Sequence, residues 1–378
     1  MDSTANLLTW AEIDLGAITH NLRALKARVG HGVKTMAVVK ANAYGHGAIP
    51  VAKTALAAGA DWLAVNRVNE GVALREAGIS ARILVLGYCP PAQAEMVVAH
   101  RLTPAVTSPE TAHALANAAS GGEPFPVHIK IDTGMGRLGL LPDEAPAFVR
   151  AVQNLSSLRV EGIFSHFAVA DEADRTFTRQ QHRVFVDVVQ AIERDSGEIP
   201  IKHLANSAAS MAFPPAYFSM VRLGIALYGL RPSGEIDWPV DLRPAMTLKT
   251  RIGRVRTLPA GASVGYGRTF IAPAPTPIAL AAVGYGDGYP RLCSNRGVML
   301  VHGKRAPIAG RVSMDQTSLD VSGIENVREG DEVVVFGRQG NAEISADEVA
   351  DWAKTINYEI VTAILPRVPR VYFGSASK

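Results

Sequence analysis

Apolar residues along the chain fall in short runs, separated by longer stretches with helical spacing. The runs stand at Met36–Val39, Trp62–Val65, Ile83–Leu86, Leu102–Val106, Val127–Ile131, Val160–Phe164, Ile201–Leu204 and Val221–Tyr228. Between most of them the pattern predicts helices, over Ala48–Ala58, Asn69–Ala77, Pro109–Ala119, Ala145–Val152 and Arg179–Arg194. Eight strands alternating with helices over about 200 residues predict an α/β fold of the (β/α)8 barrel type. A doubly wound open sheet is the alternative, but no Gly-x-Gly-x-x-Gly turn follows the first strand. Ahead of this rhythm, Trp10–Leu15 alternates like a half-buried strand, and Ile18, Leu22, Leu25 and Val29 share one helical face.

After Arg231-Pro232 the texture changes. Val-, Thr- and Ile-rich runs at Leu248–Val255, Ile278–Gly284, Val298–Val301, Val312–Leu319 and Glu332–Phe336 lie between Gly and Pro turns, and only Ser345–Ile356 reads as a helix. The expected organisation is a barrel over residues 14–240 and a mostly β domain over 241–378, joined through Ser233–Asp241. The N-terminal strand, residues 8–15, is assigned to the second domain.

Polar residues collect at the ends of the barrel runs: Lys40, Asn66, Lys130, Asp132, His166, Asn206, Ser207 and Arg222. A barrel builds its active site from those strand ends, on the C-terminal face. Lys40 is the most informative of them. It stops the run Met36–Val39 just before the polar turn Asn42-Ala43-Tyr44-Gly45-His46-Gly47. A lysine there either simply closes a strand or, desolvated, becomes an amine nucleophile toward a carbonyl.

Composition narrows the functional classes. The 378 residues carry 38 basic and 35 acidic side chains, a net charge of +3 and no like-charge run, so nothing supports nucleic-acid or membrane-surface binding. Cys89 and Cys293 lie far apart, which fits a reducing compartment and excludes a disulfide framework or a cysteine metal site. The start, MDSTANLLTW, lacks the basic residues of a secretion signal, and no run of about 18 apolar residues is available to span a bilayer. A soluble, cytoplasmic protein is expected.

Eight segments carry more than composition does: AVVKANAYGHG, IKIDTGMGRLG, GIFSHFAVAD, HLANSAA, VRLGIALYG, VGYGRTF, AVGYGDGYPR and AGRVSMDQ. In this order, within a match running from Ala11 to Arg370, they resemble the alanine racemase family of barrel enzymes, which use pyridoxal 5′-phosphate. The resemblance implies that Lys40 holds the cofactor as a Schiff base and moves a proton on one face of the substrate. Tyr266 would be the second base on the opposite face. A tyrosine with its usual pKa of about 10 is a poor base at neutral pH and needs stabilising neighbours. Without the resemblance, the favoured reading of Tyr266 is simply a tyrosine between turn glycines. His166 would lie beside the cofactor ring, and Arg222 would face the pyridine nitrogen. An arginine keeps that nitrogen unprotonated, weakens the electron sink and disfavours transamination.

The phosphate would be held after strands seven and eight by Asn206, Ser207, Gly224 and Ile225, with Tyr44 and Tyr358. Arg137, Met314, Tyr285 and Asp315 would contact substrate or narrow its approach, favouring a small side chain. Lys130 matches a lysine that is carbamylated in some relatives, giving an anion to pair with Arg137. The resemblance implies no metal. It also implies a homodimer with shared sites, in which Tyr266, Tyr285, Met314 and Asp315 come from the partner. The implied reaction is interconversion of L- and D-alanine, supplying D-alanine to the bacterial cell wall, with serine or another small amino acid as the alternative substrate. Two departures stand out: Ser313 replaces the usual cysteine before Met314-Asp315, and Val361-Thr362 replaces the common Pro-Cys.

Other classes fit less well. A basic amino-acid decarboxylase on the same barrel would present an acidic residue where Arg222 stands. A metal-dependent hydrolase would want a His-x-His pair after strand one, and none occurs. A noncatalytic binder of the same cofactor would lack the β domain.

Overall fold

The computed structural model describes residues 4–374. The chain divides into two units, residues 17–43 with 48–243, and residues 4–16 with 44–47 and 244–374.

After strand β1 (Thr9–Asp14) and helix α1 (Leu15–Val29), eight parallel strands follow: β2 (Lys34–Val38), β3 (Trp62–Val65), β4 (Arg82–Val85), β5 (Thr103–Val106), β6 (Phe125–Lys130), β7 (Leu158–Phe164), β8 (Ile201–His203) and β9 (Met220–Leu223). They pair in the order β8-β7-β6-β5-β4-β3-β2-β9. Ser219 helps to close the ring: its Oγ accepts from Lys202 N at 2.7 Å and donates to Lys202 O at 3.0 Å, while Arg222 N donates to Ala205 O at 3.0 Å. Barrel strands are covered on both faces, and all four residues of β3 and of β5 are buried. The helices are α2 (Ala48–Ala57), α3 (Val68–Glu76), α4 (Ala94–Ala99), α5 (Pro109–Ala118), α6 (Ala145–Gln153), α7 (Thr176–Ser196) and α8 (Ser207–Ala212).

Three details differ from the sequence reading. The run Val221–Tyr228 is a strand only to Leu223, and Ile225–Tyr228 coils into a 3-10 turn anchored by Tyr228, whose Oη donates to Val38 O at 2.8 Å. Helix α4 was not expected; it has only six residues, too few for a clear periodicity. Pairing of β6 with β7 slips between Val127 and His128. Val127 lies opposite Val160 and His128 opposite Gly162, so Glu161 is the extra residue of a bulge.

The second unit is mostly strand: β10 (Met246–Leu258), β11 (Ser263–Val264), β12 (Phe270–Ile271), β13 (Thr276–Ala281), β14 (Val298–Val301), β15 (Lys304–Pro307), β16 (Thr317–Asp320), β17 (Glu332–Gln339), β18 (Ala342–Ile344) and β19 (Arg370–Phe373). Helices α9 (Ala346–Ala353) and α10 (Asn357–Thr362) follow β18. Its main sheet runs β15-β14-β17-β10-β1-β19, with β13 and β16 branching from β10. Strand β1 pairs antiparallel with β10 and parallel with β19. The run Val312–Leu319 is a strand only from Thr317, and its first half forms a loop.

Candidate active site

Lys40 sits just past the C-terminal end of β2, and the backbone beyond it is unusual. Ala41, Asn42, Ala43 and Tyr44 have φ of 52°, 54°, 53° and 51°, a left-handed turn built without glycine. Each such residue costs about 1 kcal/mol or more, so neighbouring contacts must hold the turn. Glu70 of α3 supplies one: Oε1 accepts from Ala41 N at 2.6 Å, and Oε2 accepts from Asn66 N at 2.8 Å and Arg67 N at 2.9 Å. Asn42 Oδ1 accepts from Ala48 N at 2.9 Å, and Ala43 N donates to Val39 O at 2.9 Å. Burial, and then the guanidinium of Arg137, push the Lys40 ammonium toward its neutral form; Glu70 opposes this and Arg222 reinforces it.

Cations dominate this end of the barrel. Lys130 closes β6 and is buried; burial, with Arg222, Arg137 and Lys40, lowers its pKa to about 8. After β6 the chain folds back on itself: Leu140 N donates to Lys130 O at 2.9 Å and Asp132 N to Leu140 O at 2.8 Å. Inside that loop the Asp132 carboxylate accepts from the backbone N–H groups of Gly134, Gly136 and Arg137 at 2.9–3.0 Å. Burial raises the Asp132 pKa, but those N–H groups outweigh it and keep the carboxyl ionised below its usual range. Arg137 is thereby fixed at its backbone while its side chain is exposed.

Arg222, on β9, is buried. Nη1 contacts His203 Nδ1 and His203 O, each at 3.0 Å; Nη2 contacts Ser165 O at 2.7 Å, Leu204 O at 3.0 Å and His166 Nδ1 at 3.1 Å. Burial lowers its pKa to about 9. A guanidinium only donates, so both facing imidazole nitrogens are acceptors. Burial, then Arg222, Arg137, Lys130 and Lys40, hold His166 well below its usual pKa, and it is a neutral ring. The Phe164 ring lies 5.4 Å from Lys130 Nζ and 5.5 Å from the Arg222 guanidinium carbon.

Asn206 and Ser207 begin α8 and are committed differently. Asn206 Oδ1 caps the helix by accepting from Ala209 N at 3.0 Å. Ser207 Oγ accepts from Gly224 N at 2.9 Å and Ala226 N at 3.3 Å, which ties the loop after β9 to the loop after β8. A hydroxyl accepting twice still has its own proton to donate. The barrel unit thus brings together Lys40, Lys130, Arg137, His166, Asn206, Ser207, Arg222, Gly224 and Ile225.

The other candidates belong to the second unit. Tyr44 and Tyr358 pack with ring centroids 6.2 Å apart, and burial pushes the Tyr44 phenol up to about 12. Tyr285 N donates to Ser313 O at 3.1 Å and Gly286 N to Met314 O at 2.7 Å, so the loops bearing Tyr285 and Met314 lie side by side. Asp315 Oδ1 accepts from Arg367 Nη2 at 2.7 Å, and Arg367 Nε donates to Asp287 Oδ1 at 2.7 Å. Tyr266 lies in the turn between β11 and β12, flanked by Gly265 and Gly267 with φ of 67° and 71°. It is 68% exposed, Met314 53% and Tyr285 39%.

Sequence reasoning missed Glu70, Arg367, His203, His128 and Glu161 as contributors. One signal was available: His128 and Lys130 are two apart on a strand and share a face. No helix among the described residues is long and apolar enough to cross a membrane.

Comparisons with known proteins agree along the chain. Residues 13–232 match the model of the alanine racemase N-terminal domain, and residues 245–372 that of the alanine racemase C-terminal domain. The chain is 49% identical over 365 residues to an alanine racemase of Halothermothrix orenii, covering 96% of each, and 48% identical to one of Symbiobacterium thermophilum over the full length of both. Among solved structures it resembles the alanine racemase of Streptomyces lavendulae, with a TM-score of 0.93, 40% identity and 98% of each chain covered. It also resembles that of Bacillus anthracis with bound L-Ala-P, with a TM-score of 0.92, 39% identity, and 97% of this chain and 95% of that one covered.

Proposed function

The chain belongs to the alanine racemase family, and on that premise we propose that it interconverts L- and D-alanine by two-base proton transfer at Cα, with pyridoxal 5′-phosphate as cofactor. The relatives are named for alanine, which favours that substrate over serine. The observation that carries the reading is Lys40: a strand-end amine pushed toward neutrality, beside an arginine whose terminal nitrogens meet only carbonyls and imidazoles among the described residues.

The barrel residues fit such a cofactor. A depressed lysine is the nucleophile an aldehyde needs, and the surrounding cations suit a phosphorylated, phenolic ligand. Lys40 would hold it, Arg222 would face its pyridine nitrogen, His166 would lie against the ring, and Ser207 with the backbone of Gly224 and Ile225 would meet the phosphate. Asn206 would contribute by shaping that loop, and Tyr44 and Tyr358 by phenol contacts to the phosphate. When bound, the cofactor acidifies the substrate Cα–H.

The protein supplies the rest. Lys40 Nζ, pushed toward its neutral form by burial, takes or returns the proton on one face; Tyr266 Oη does so on the other. Arg222 does not readily give up its proton, so it would leave the pyridine nitrogen unprotonated and the cofactor a weaker electron sink. Arg137 and the Met314 N–H would grip the substrate carboxylate, and Tyr285 and Asp315 would limit its side chain. Lys130, carbamylated, would give Arg137 an anionic partner and relieve the clustering of cations.

We also read the enzyme as a homodimer in which the partner's Tyr266 serves each site. The exposure of Tyr266, Tyr285 and Met314 in a single chain supports this, since each would gain a surface to pack on. On the family's precedent it works in the cytoplasm and supplies D-alanine for cell-wall peptide. Purified protein with L-alanine and the cofactor, followed by chiral chromatography, tests the assignment: D-alanine is expected, and its absence overturns it. L-Serine in parallel measures breadth.

A further inference from the structure

Arg222 is a buried cation among cations, and its terminal nitrogens meet no carboxylate among the described residues. Two hydrogen bonds and one longer contact nevertheless lead to one. Nη1 donates to His203 Nδ1 at 3.0 Å. With Nδ1 occupied as an acceptor, a neutral His203 carries its proton on Nε2, which donates to His128 Nδ1 at 3.0 Å. His128 must then carry its own proton on Nε2, and that atom faces Glu161 Oε2 at 3.8 Å, an ion–dipole contact. Arg222 therefore dictates both tautomers, and the series runs in one direction, from guanidinium to carboxylate. Burial holds both rings below their ordinary pKa, which keeps them neutral.

The local backbone is shaped for this series. Glu161 is the bulged residue of β7, which explains why a carboxylate from an apolar strand meets the β6 histidine. Next to it, Gly162 forms a notch: a Cβ there would stand 2.5 Å from the His128 ring, so only glycine admits the imidazole. His203 stacks on Phe164, centroids 4.6 Å apart and planes 8° from parallel. At the far end Glu161 is paired with Arg82 and with Arg159, the latter at 3.3 Å; both arginines are near the N-terminal ends of their strands and reach solvent.

We propose that Glu161 is a positioning residue that acts through His128 and His203 on Arg222: its charge favours the tautomers that Arg222 sets, polarises both rings and, through them, holds the orientation and charge of the guanidinium. The barrel would thus tune its cofactor-facing arginine from the opposite end. This rests on the reading that Arg222 faces a pyridine nitrogen, and two separate measurements keep the two ideas apart.

The first is nitrogen-15 NMR of histidine-labelled holoenzyme, with His128 and His203 assigned from His128→Gln and His203→Gln. Two neutral Nε2–H rings are expected; a proton on either Nδ1 overturns the series whatever the cofactor does. The second is the visible absorption maximum of the bound cofactor in Glu161→Gln and Arg159→Gln, with folding checked by circular dichroism. Removing the carboxylate's charge weakens His203 as an acceptor, whereas removing Arg159 leaves that charge less compensated. The two variants should therefore shift the maximum by a few nanometres in opposite directions. Shifts in the same direction, or none, overturn the proposal and indicate packing alone. Should Glu161→Gln fail to fold, Arg159→Gln must still shift the maximum in a folded protein, and no shift there overturns the proposal as well. A protein with the expected tautomers but no visible band would refute the cofactor reading while leaving the relay standing.

Discussion

Glu70 Oε1 accepts the backbone N–H of Ala41 at 2.6 Å, one residue beyond Lys40. The same carboxylate takes two further N–H groups, from Asn66 and Arg67. It thus ties the start of α3 to the left-handed turn that carries the proposed catalytic lysine. Glu70→Ala should cost about 1 to 2 kcal/mol of stability, as a lost cap does. It should also speed cofactor loss by releasing the turn. Urea unfolding and the rate of cofactor release check this. Glu70→Gln, which keeps one acceptor oxygen, should recover part of both, and an unchanged off-rate in Glu70→Ala would count against the role.

The shared-site reading makes a mixing experiment decisive. Lys40→Ala and Tyr266→Phe should each be inactive as pure dimers. After mixing and subunit exchange, half of the dimers are mixed and each of these has one intact site, so activity should return to about a quarter of the wild-type level. If both residues served a site from the same chain, no activity would return.

Lys130 offers a test in which the sign decides. Its pKa is lowered to about 8, chiefly by burial and then by Arg222 and Arg137. An unmodified Lys130 binds fewer protons folded than unfolded between that value and its ordinary 10.5, so its penalty is fully present below pH 8 and fades as pH rises through the window. Unmodified protein should then be less stable than Lys130→Met at neutral pH, by an amount that shrinks toward pH 10. A carbamate reverses the sign at neutral pH, because Lys130→Met then loses an anion. We expect the carbamate outcome, with the mass of one added carbon dioxide in the intact protein; a bare lysine by mass refutes it.

Gly162→Ala would push a methyl group into the His128 ring between two packed strands. The backbone has little room to give, so a loss of about 2 kcal/mol is expected, in line with overpacked cores. Thermal melting measures it. Gly162→Ala combined with His128→Ala should be milder than the two single changes added together, because the ring that clashes is gone.

The barrel was legible because its strands are buried on both faces, so stretches such as Trp62–Val65 read as unbroken apolar runs with the chemistry at their ends. The interior relay was not legible for the same reason. His128 and Glu161 sit within runs otherwise read as core, and their meeting depends on a one-residue slip between β6 and β7 that no local pattern announces. Asn206 was read as a phosphate neighbour; the structure adds that its side-chain oxygen caps α8, a commitment that residue type alone does not specify. The turn after Lys40 was read as polar loop. Its left-handed geometry could not be anticipated, since alanine at 41 and 43 favours the right-handed helix. The mouth of the barrel could be inferred from residue types, and the supports behind it only from pairing.

Strand β1 lies between β10 and β19 in the sheet of the second unit, although residues 9–14 precede the barrel and residues 246–258 and 370–373 follow it. During synthesis the first strand emerges long before either neighbour exists and must wait, unpaired, while the barrel is made. The sheet cannot be completed until β19 has left the ribosome. A recombinant fragment cut at the joint would keep β10 and β19 but lose the strand that separates them, leaving two open edges able to capture other chains. Such a fragment should precipitate unless residues 9–14 are supplied, as a fused extension or as a separate peptide.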